Sequence, residues 1–416
     1  MSGTPRSTGP LAGVTVLDLT QFLAGPYATQ ILGDLGARVV KIEPPGAGEM
    51  TRTLAPHFFK GQSAYYLSVN RNKESLALDL KNPRGREVFF NLVRNADVVL
   101  ENFRVGVVDR LGISYDRLKE INPRIVMCSI SGFGQTGPYK DRPAYDMIVQ
   151  AMSGGMSITG EEAGAPVRAG IPVGDLSAGM FSVIGALAGV TQARATGRGS
   201  YVDVSMLDCQ VSMLTYQAAY YLLSDEVPGL QGRGHRSFPT YRAFRCKDGI
   251  EIVVTANTEK MWRGLCEALG QAHLADDPRF SINARRLENR EALDTILEAA
   301  FADLSAVDAL DRLVGLEVPA GPINTLDRAL TDRQVVARDM VVEIKDSAGD
   351  AIRVAGNPVK VQGSGTIRHS FPPELGGHST EILKELAGMD IEEIAALARD
   401  GVISMATSPS VSEATQ

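Results

Sequence analysis

Residues Val14 to Leu19 read V-T-V-L-D-L, Leu23 to Pro26 read L-A-G-P, and Ala37 to Glu43 read A-R-V-V-K-I-E. The first and last are β-rich runs of strand length. Between them Pro26 opens a helical pattern through Leu35, and Gly36 is placed to end it. Pro44 and Pro45 close the second strand. Strand, helix, strand is a βαβ unit, and it implies a parallel sheet. The alternation continues outward: helix Pro83 to Ala96, strand Val98 to Asn102, helix Tyr115 to Ile121, strand Arg124 to Ile130, helix Asp175 to Arg194, strand Tyr201 to Ser205 and helix Cys209 to Leu223. Past Gly229 the texture changes. Strands Tyr241 to Arg245 and Ile250 to Val254 flank Asp248-Gly249, a strong hairpin signal. Helices follow at Lys260 to Leu269, Asn289 to Phe301 and Ala306 to Val314, so 225–335 reads as a second, smaller domain. Two strands, Met340 to Lys345 and Ala351 to Val361, and helices Thr380 to Leu386 and Ile391 to Ala398 come after it. The polar tail from Thr407 is expected to be disordered.

Composition bounds the function. With 416 residues, 44% of them hydrophobic and 22% charged, the chain can build more than one core. A formal net charge of −7 and the lack of a basic stripe argue against a nucleic-acid binder. The longest apolar stretches, such as Met180 to Val190, fall short of the ~20 residues that span a bilayer. Met1 to Pro10 lacks an apolar leader segment, so a cytoplasmic location is expected. Cys128, Cys209, Cys246 and Cys266 form no C-x-x-C, and the histidines are far apart, so neither a disulfide framework nor a metal-ligand spacing is present. A doubly wound sheet invites a nucleotide reading. However, the turn after the first strand lacks G-x-G-x-x-G, and Pro26 removes a donor that a pyrophosphate loop would use.

Individual residues admit two readings each. Asp175, in G-D-L-S-A-G from Gly174 to Gly179, sits where a helix begins and suits a cap. The same place stabilises a carboxylate, and a carboxylate flanked by glycines can be a nucleophile. Arg104 and Arg110 suit either a solvated face or a phosphate. Tyr145 follows a Gly/Pro-rich loop and suits packing or a site wall. His235, in G-R-G-H, suits a plain loop or a hinged cover. Trp262 and Cys266 share a helical face and read as core.

The order of the motifs resembles one family. L-A-G-V-T-V-L-D-L-T starts at Leu11, and L-G-D-L-G-A-R-V-V-K-I-E-P-P-G starts at Leu32. N-R-N-K-E-S-L-A-L-D-L-K runs from Asn70 to Lys81, E-N-F-R from Glu101 to Arg104, and S-G-F-G-Q-T-G-P from Ser131 to Pro138. T-G-R-G-S-Y-V-D-V-S-M-L-D from Thr196, A-D-D-P-R-F from Ala275 and V-P-A-G-P-I-N-T from Val318 complete the set. Together they are similar to the class III CoA-transferases, the CaiB/BaiF family, over Leu11 to about Ile403.

The resemblance implies an α/β fold: a Rossmann-like large domain built from both chain ends (1–224 and 336–416) plus a smaller α+β domain (225–335), in an interlocked homodimer. It implies that Asp175 attacks an acyl-CoA, forming a mixed anhydride and then an aspartyl-CoA thioester whose CoA passes to a small carboxylic acid. Coenzyme A is then a substrate moiety, with no tightly bound cofactor. By the same matching Leu23, Ala24, Leu78, Asp79, Lys81, Asn102, Phe103, Arg104, Arg110 and Tyr145 line the CoA site, and Gly232 to His235 corresponds to a loop over it. The α-methylacyl-CoA racemases of the family use a His-Asp pair where this chain has Tyr145-Asp146, and a Glu near Glu259. A phenol that titrates near ~10 is a poor base. Formyl-CoA transferases place Gln where Leu23 stands and carry a Gly-rich insertion missing here. The sequence is most similar to the branch with succinyl-CoA or a similar donor. An α-methylacyl-CoA racemase and an inactive CoA-binding protein are the two competing readings.

Overall fold

The computed structural model describes residues 9–364 and 369–406, so the tail from Thr407 lies outside the described residues. Contacts gather the chain into two units. The larger comprises Met1–Gly155, Arg168–Ala219 and Asp339–Gln416, and the smaller comprises Met156–Val167 and Tyr220–Arg338. Segment 156–167, which the sequence reading includes in 1–224, groups with the smaller unit. The backbone gives the reason: Gln231 N–H donates to the Ile158 carbonyl (3.1 Å) and Gly232 N–H to that of Gly160 (2.9 Å), tying the segment to the small unit.

In the larger unit seven strands form one sheet: β1 (Thr15–Asp18), β2 (Arg38–Glu43), β3 (Lys73–Leu78), β4 (Val98–Glu101), β5 (Val126–Ser131), β6 (Tyr201–Ser205) and β7 (Ile403–Ser404). Their order is β7-β3-β2-β1-β4-β5-β6, parallel throughout except for β7, which pairs antiparallel with β3. Six strands thus take the 3-2-1-4-5-6 order of a dinucleotide-binding fold. Side chains alternate between two cores, as the strand period of two requires. Leu17, Val40 and Val99 enter one core, and Val16, Val39 and Val98 enter the other. Each such burial stabilises by about 1.5–3 kcal/mol, more than the ~1 kcal/mol span of intrinsic strand preference.

The helices that position the site are α1 (Ala24–Asp34), α2 (Ala64–Val69), α3 (Pro83–Val93), α4 (Asp146–Met152) and α5 (Val173–Thr196). At 24 residues, α5 is by length and composition apolar enough to cross a membrane, and it exceeds the apolar stretch read from the sequence. Half of its most apolar window is buried, and it packs on α1 and β5. Small residues permit that approach: a Cβ on Gly189 would come within 2.6 Å of Val126. The chain end returns to this unit, where Ile382 and Leu383 of the helix Ser379–Ala387 join the core of Leu76 and Leu92. The expected helix Cys209 to Leu223 is two helices, Met206–Met213 and Tyr216–Ser224, parted by Thr215 in a left-handed conformation (φ +45°). The strand expected to reach Val361 ends at Ala355.

The smaller unit carries a four-stranded antiparallel sheet whose hairpin pairs Arg245 with Glu251 around the Asp248-Gly249 turn. Trp262, Cys266, Phe244 and Phe301 are buried in its core, the last two stacked at 4.4 Å.

Candidate active site

The sheet order reverses between β1 and β4, and in such sheets the ligand crevice opens beyond the carboxyl ends of those strands. The turn after β1, Thr20 to Leu23, is tied to the residue after β4. Gln21 N–H donates to Asn102 Oδ1 (2.8 Å), and Asn102 Nδ2 donates to the Gln21 carbonyl (2.7 Å). Buried charges hold the rest of the turn. Lys41 Nζ donates to the Thr20 carbonyl (2.9 Å) and pairs with Glu49 (3.2 Å), and Glu49 Oε2 accepts from the Phe22 N–H (3.0 Å). Lys41 and Glu49 are buried, a placement tolerated only because each has its partners.

The expected CoA residues divide by exposure. Leu23 caps α1 and Asn102 latches the turn, both at the switch point. The side chains of Ala24 and Leu78 belong to the two cores, so their backbones alone can meet a ligand. Asp79 accepts from the Lys81 N–H (2.9 Å), turning the chain after β3. Phe103 packs on the core, and its N–H donates to Glu101 (2.7 Å), a buried carboxyl that burial pushes up to about 7. Lys81, Arg104 and Arg110 are exposed and have no carboxylate partner among the described residues. Such cations suit phosphate oxygens.

Asp175 is the third residue of α5. The helix has Pro172 at its N-cap and no local side-chain cap. Asp146 supplies one from α4: its Oδ1 accepts from the N–H of Gly174 (2.7 Å) and of Asp175 (3.3 Å), while Gln150 Nε2 donates to its Oδ2 (2.6 Å). Gly174 is needed here, because a Cβ would sit 2.9 Å from Asp146 Oδ1. The Asp175 carboxylate itself accepts no hydrogen bond from any described residue. Burial, and then the Asp146 charge, push it up to about 7. Tyr65 on α2 feels the same group: burial, and then the carboxylates of Asp175, Glu49 and Asp146, push its hydroxyl up to about 12, so it stays a donor. Tyr145, exposed at the N-cap of α4, lies edge-on to Phe22 with ring centroids 6.2 Å apart.

Sequence reasoning misses Phe22, Glu49 and Tyr65, which carry no motif signal of their own. It weighs a capping role for Asp175 beside the nucleophile's and does not find the residue that caps α5, Asp146. In the smaller unit His235 stacks on Tyr241 (5.7 Å between centroids) beside Arg233, and Arg233 pairs with Glu251 (2.8 Å). Glu259, near the position of the racemase carboxylate, is gripped by Arg286 at 2.6 and 3.1 Å. Among the described residues no group of three or more His, Cys, Asp or Glu is placed to hold a metal ion.

Known proteins share this fold. The sequence profile of CoA-transferase family III matches residues 11–379. The chain is 41% identical over 397 residues to the succinyl-CoA:glutarate CoA-transferase of Mus musculus, covering 95% of this chain and 91% of that one. It is 38% identical to the succinate–glutarate CoA-transferase of Agrobacterium fabrum, covering 93% and 98%. It is 41% identical to the acetyl-CoA:oxalate CoA-transferase of Acetobacter aceti, covering 92% and 97%. Among solved structures, a CaiB/BaiF family protein from Brucella suis superposes with a TM-score of 0.80 at 36% identity, over 91% of this chain and 99% of that one. The chain belongs to CoA-transferase family III and is a CoA-transferase.

Proposed function

We propose that this enzyme moves CoA from succinyl-CoA, or a closely similar acyl-CoA, to a small dicarboxylic acid, with Asp175 as the covalent carrier. The observation that carries the reading is the Asp175 carboxylate, desolvated and free of hydrogen-bond partners at a helix start held by Asp146. A carboxylate that no donor quenches keeps its lone pairs for attack. The dicarboxylate class follows from relatives that act on glutarate and oxalate.

The steps balance without a proton leaving the site. Asp175 attacks the thioester carbonyl, the C–S bond breaks, and CoA leaves as thiolate beside an aspartyl–acyl anhydride. The thiolate then attacks the aspartyl carbonyl and expels the donor acid as carboxylate, leaving aspartyl-CoA. The acceptor carboxylate attacks that thioester, and the thiolate in turn attacks the acceptor carbonyl of the new anhydride, restoring Asp175. Lys81, Arg104 and Arg110 hold the CoA phosphates, and Leu23, Ala24, Asn102 and Tyr145 line the thioester arm. The enzyme works as an interlocked homodimer. Racemase chemistry is disfavoured by Tyr145 in place of a basic His and by the Arg286 grip on Glu259.

The test is covalent. Enzyme incubated with succinyl-CoA is expected to gain the mass of CoA less one water at Asp175, in an adduct that hydroxylamine cleaves and borohydride reduces. Asp175→Ala should lose adduct and exchange together. Deuterium uptake at the α-carbon of a 2-methylacyl-CoA without any adduct would refute the proposal.

A further inference from the structure

Phe22 is the one aromatic residue in a left-handed backbone conformation among the described residues, at φ +62°. A bulky side chain rarely adopts this region, and a glycine would take it at no steric cost. Four contacts impose the conformation: Asn102 grips the carbonyl and N–H of Gln21, Lys41 holds the Thr20 carbonyl, and Glu49 accepts the Phe22 N–H. The start of α1 packs tightly on the turn: a Cβ on Gly25 would overlap the Thr20 side chain at 2.3 Å. So constrained, the Phe22 ring meets the edge of Tyr145. Strain of this kind persists only where the surroundings over-determine it, and it concentrates at working sites.

We infer that Phe22 is a positioning residue for Asp175. The latched turn sets its ring against Tyr145, Tyr145 opens α4, and the first residue of α4, Asp146, caps the helix that carries Asp175. The cost of the left-handed backbone is retained because the side chain is used: its ring is what the turn sets against Tyr145 at the start of α4. Glu49 and Asn102 act one step further back, as the latch. This inference rests on Asp175 being the nucleophile.

The experiment compares the full-length wild type with Phe22→Ala, Phe22→Gly and Phe22→Tyr, using succinyl-CoA and glutarate as probes. Phe22→Ala removes the ring and keeps the strain, and Phe22→Gly removes both. Both are expected to lose roughly ten- to a hundred-fold in kcat, the scale of a ~1 Å misplacement of reacting groups. Donor KM should change less than kcat. Phe22→Gly should unfold at the wild-type temperature or above it, which separates lost positioning from lost folding. Phe22→Tyr keeps the edge contact and should lose less than Phe22→Ala. Wild-type kcat in both the Ala and Gly variants would overturn the inference, as would a loss no larger than their loss of folded protein. A wild type that forms no adduct at Asp175 would instead remove the proposed function, and this inference with it.

Discussion

A carboxyl in the first turn of a helix is ordinarily stabilised as the anion, because the helix start carries about half a positive charge. Asp175 is shifted the other way, from the ordinary 3.8 to about 7. Two things offset the helix: the carboxyl is largely desolvated, and Asp146 has already taken the N–H groups that would have solvated it while adding a like charge. The sign of the consequence is fixed. Below pH ~4 folded and unfolded chains both hold the proton. As pH rises to about 7 the folded chain retains a proton that the unfolded chain has lost, so Asp175 withdraws stability over that window and leaves it withdrawn above. We therefore expect Asp175→Asn to be inactive yet to melt higher than wild type at pH 8, the gap closing towards pH 4 in parallel thermal scans. Asp146→Asn keeps an oxygen for the two N–H groups and drops the charge. The acid limb of kcat/KM, set by Asp175 ionisation near pH 7 in the wild type, should move to lower pH in this variant. For Arg110, which has no carboxylate partner among the described residues, replacement by Ala should raise donor KM about ten- to a hundred-fold, the equivalent of a charge-assisted contact of ~1.5–3 kcal/mol. An unchanged KM would make it a surface residue.

At the scale of elements, the proposed nucleophile depends on how α5 begins. Its cap arrives from α4, and Gly174 leaves room for it. Gly174→Ala should displace the Asp146 carboxylate, costing about 1–2 kcal/mol of stability and a larger share of the exchange rate. Gly170→Ala is the control, since a Cβ there meets nothing within 4 Å and should change neither melting nor exchange. This division also explains what is legible in the sequence. The βαβ opening, β4 to β6 and α5 follow from local apolar periodicity, which the two cores enforce. Strand β3 escapes notice because Lys73 and Ser75 stand where apolar residues would signal burial. Lys73 is buried against Asp18 at 3.0 Å, and nothing local to β3 announces that pair. Asp175 is visible through its motif, whereas its cap is not, because Asp146 and α5 are joined only by the fold. Thr215 breaks an otherwise continuous helical pattern through a left-handed backbone that no Gly or Pro announces.

The whole molecule leaves apolar surface to be covered. The helix Tyr216–Ser224 has no buried residue, although its sequence is Y-Q-A-A-Y-Y-L-L-S, and Leu222 and Leu223 are 75% and 87% exposed. Met147, Ile148 and Met152 of α4 and Met180, Phe181 and Ile184 of α5 are exposed as well. Exposed apolar surface on this scale suits the contact that the proposed homodimer would make. Part of it lies on the two helices around Asp175, so a second copy covering it would also exclude water from the proposed nucleophile. An interlocked pair makes a specific demand on the measurement. Two chains held by simple contact separate at low concentration by mass action. Threaded chains separate only if one partly unfolds, so dissociation is limited by unfolding rather than by affinity. We therefore expect light scattering to return the mass of two chains at micromolar concentration, and nanomolar dilution to leave it unchanged over days. Subunit exchange between differently labelled pools should appear only near the melting temperature. Leu222→Glu with Leu223→Glu should cut the yield of folded dimer rather than release an active monomer, because assembly and folding would be one event. A monomer that exchanges CoA at the wild-type rate would refute the interlocked arrangement and leave the Asp175 chemistry intact.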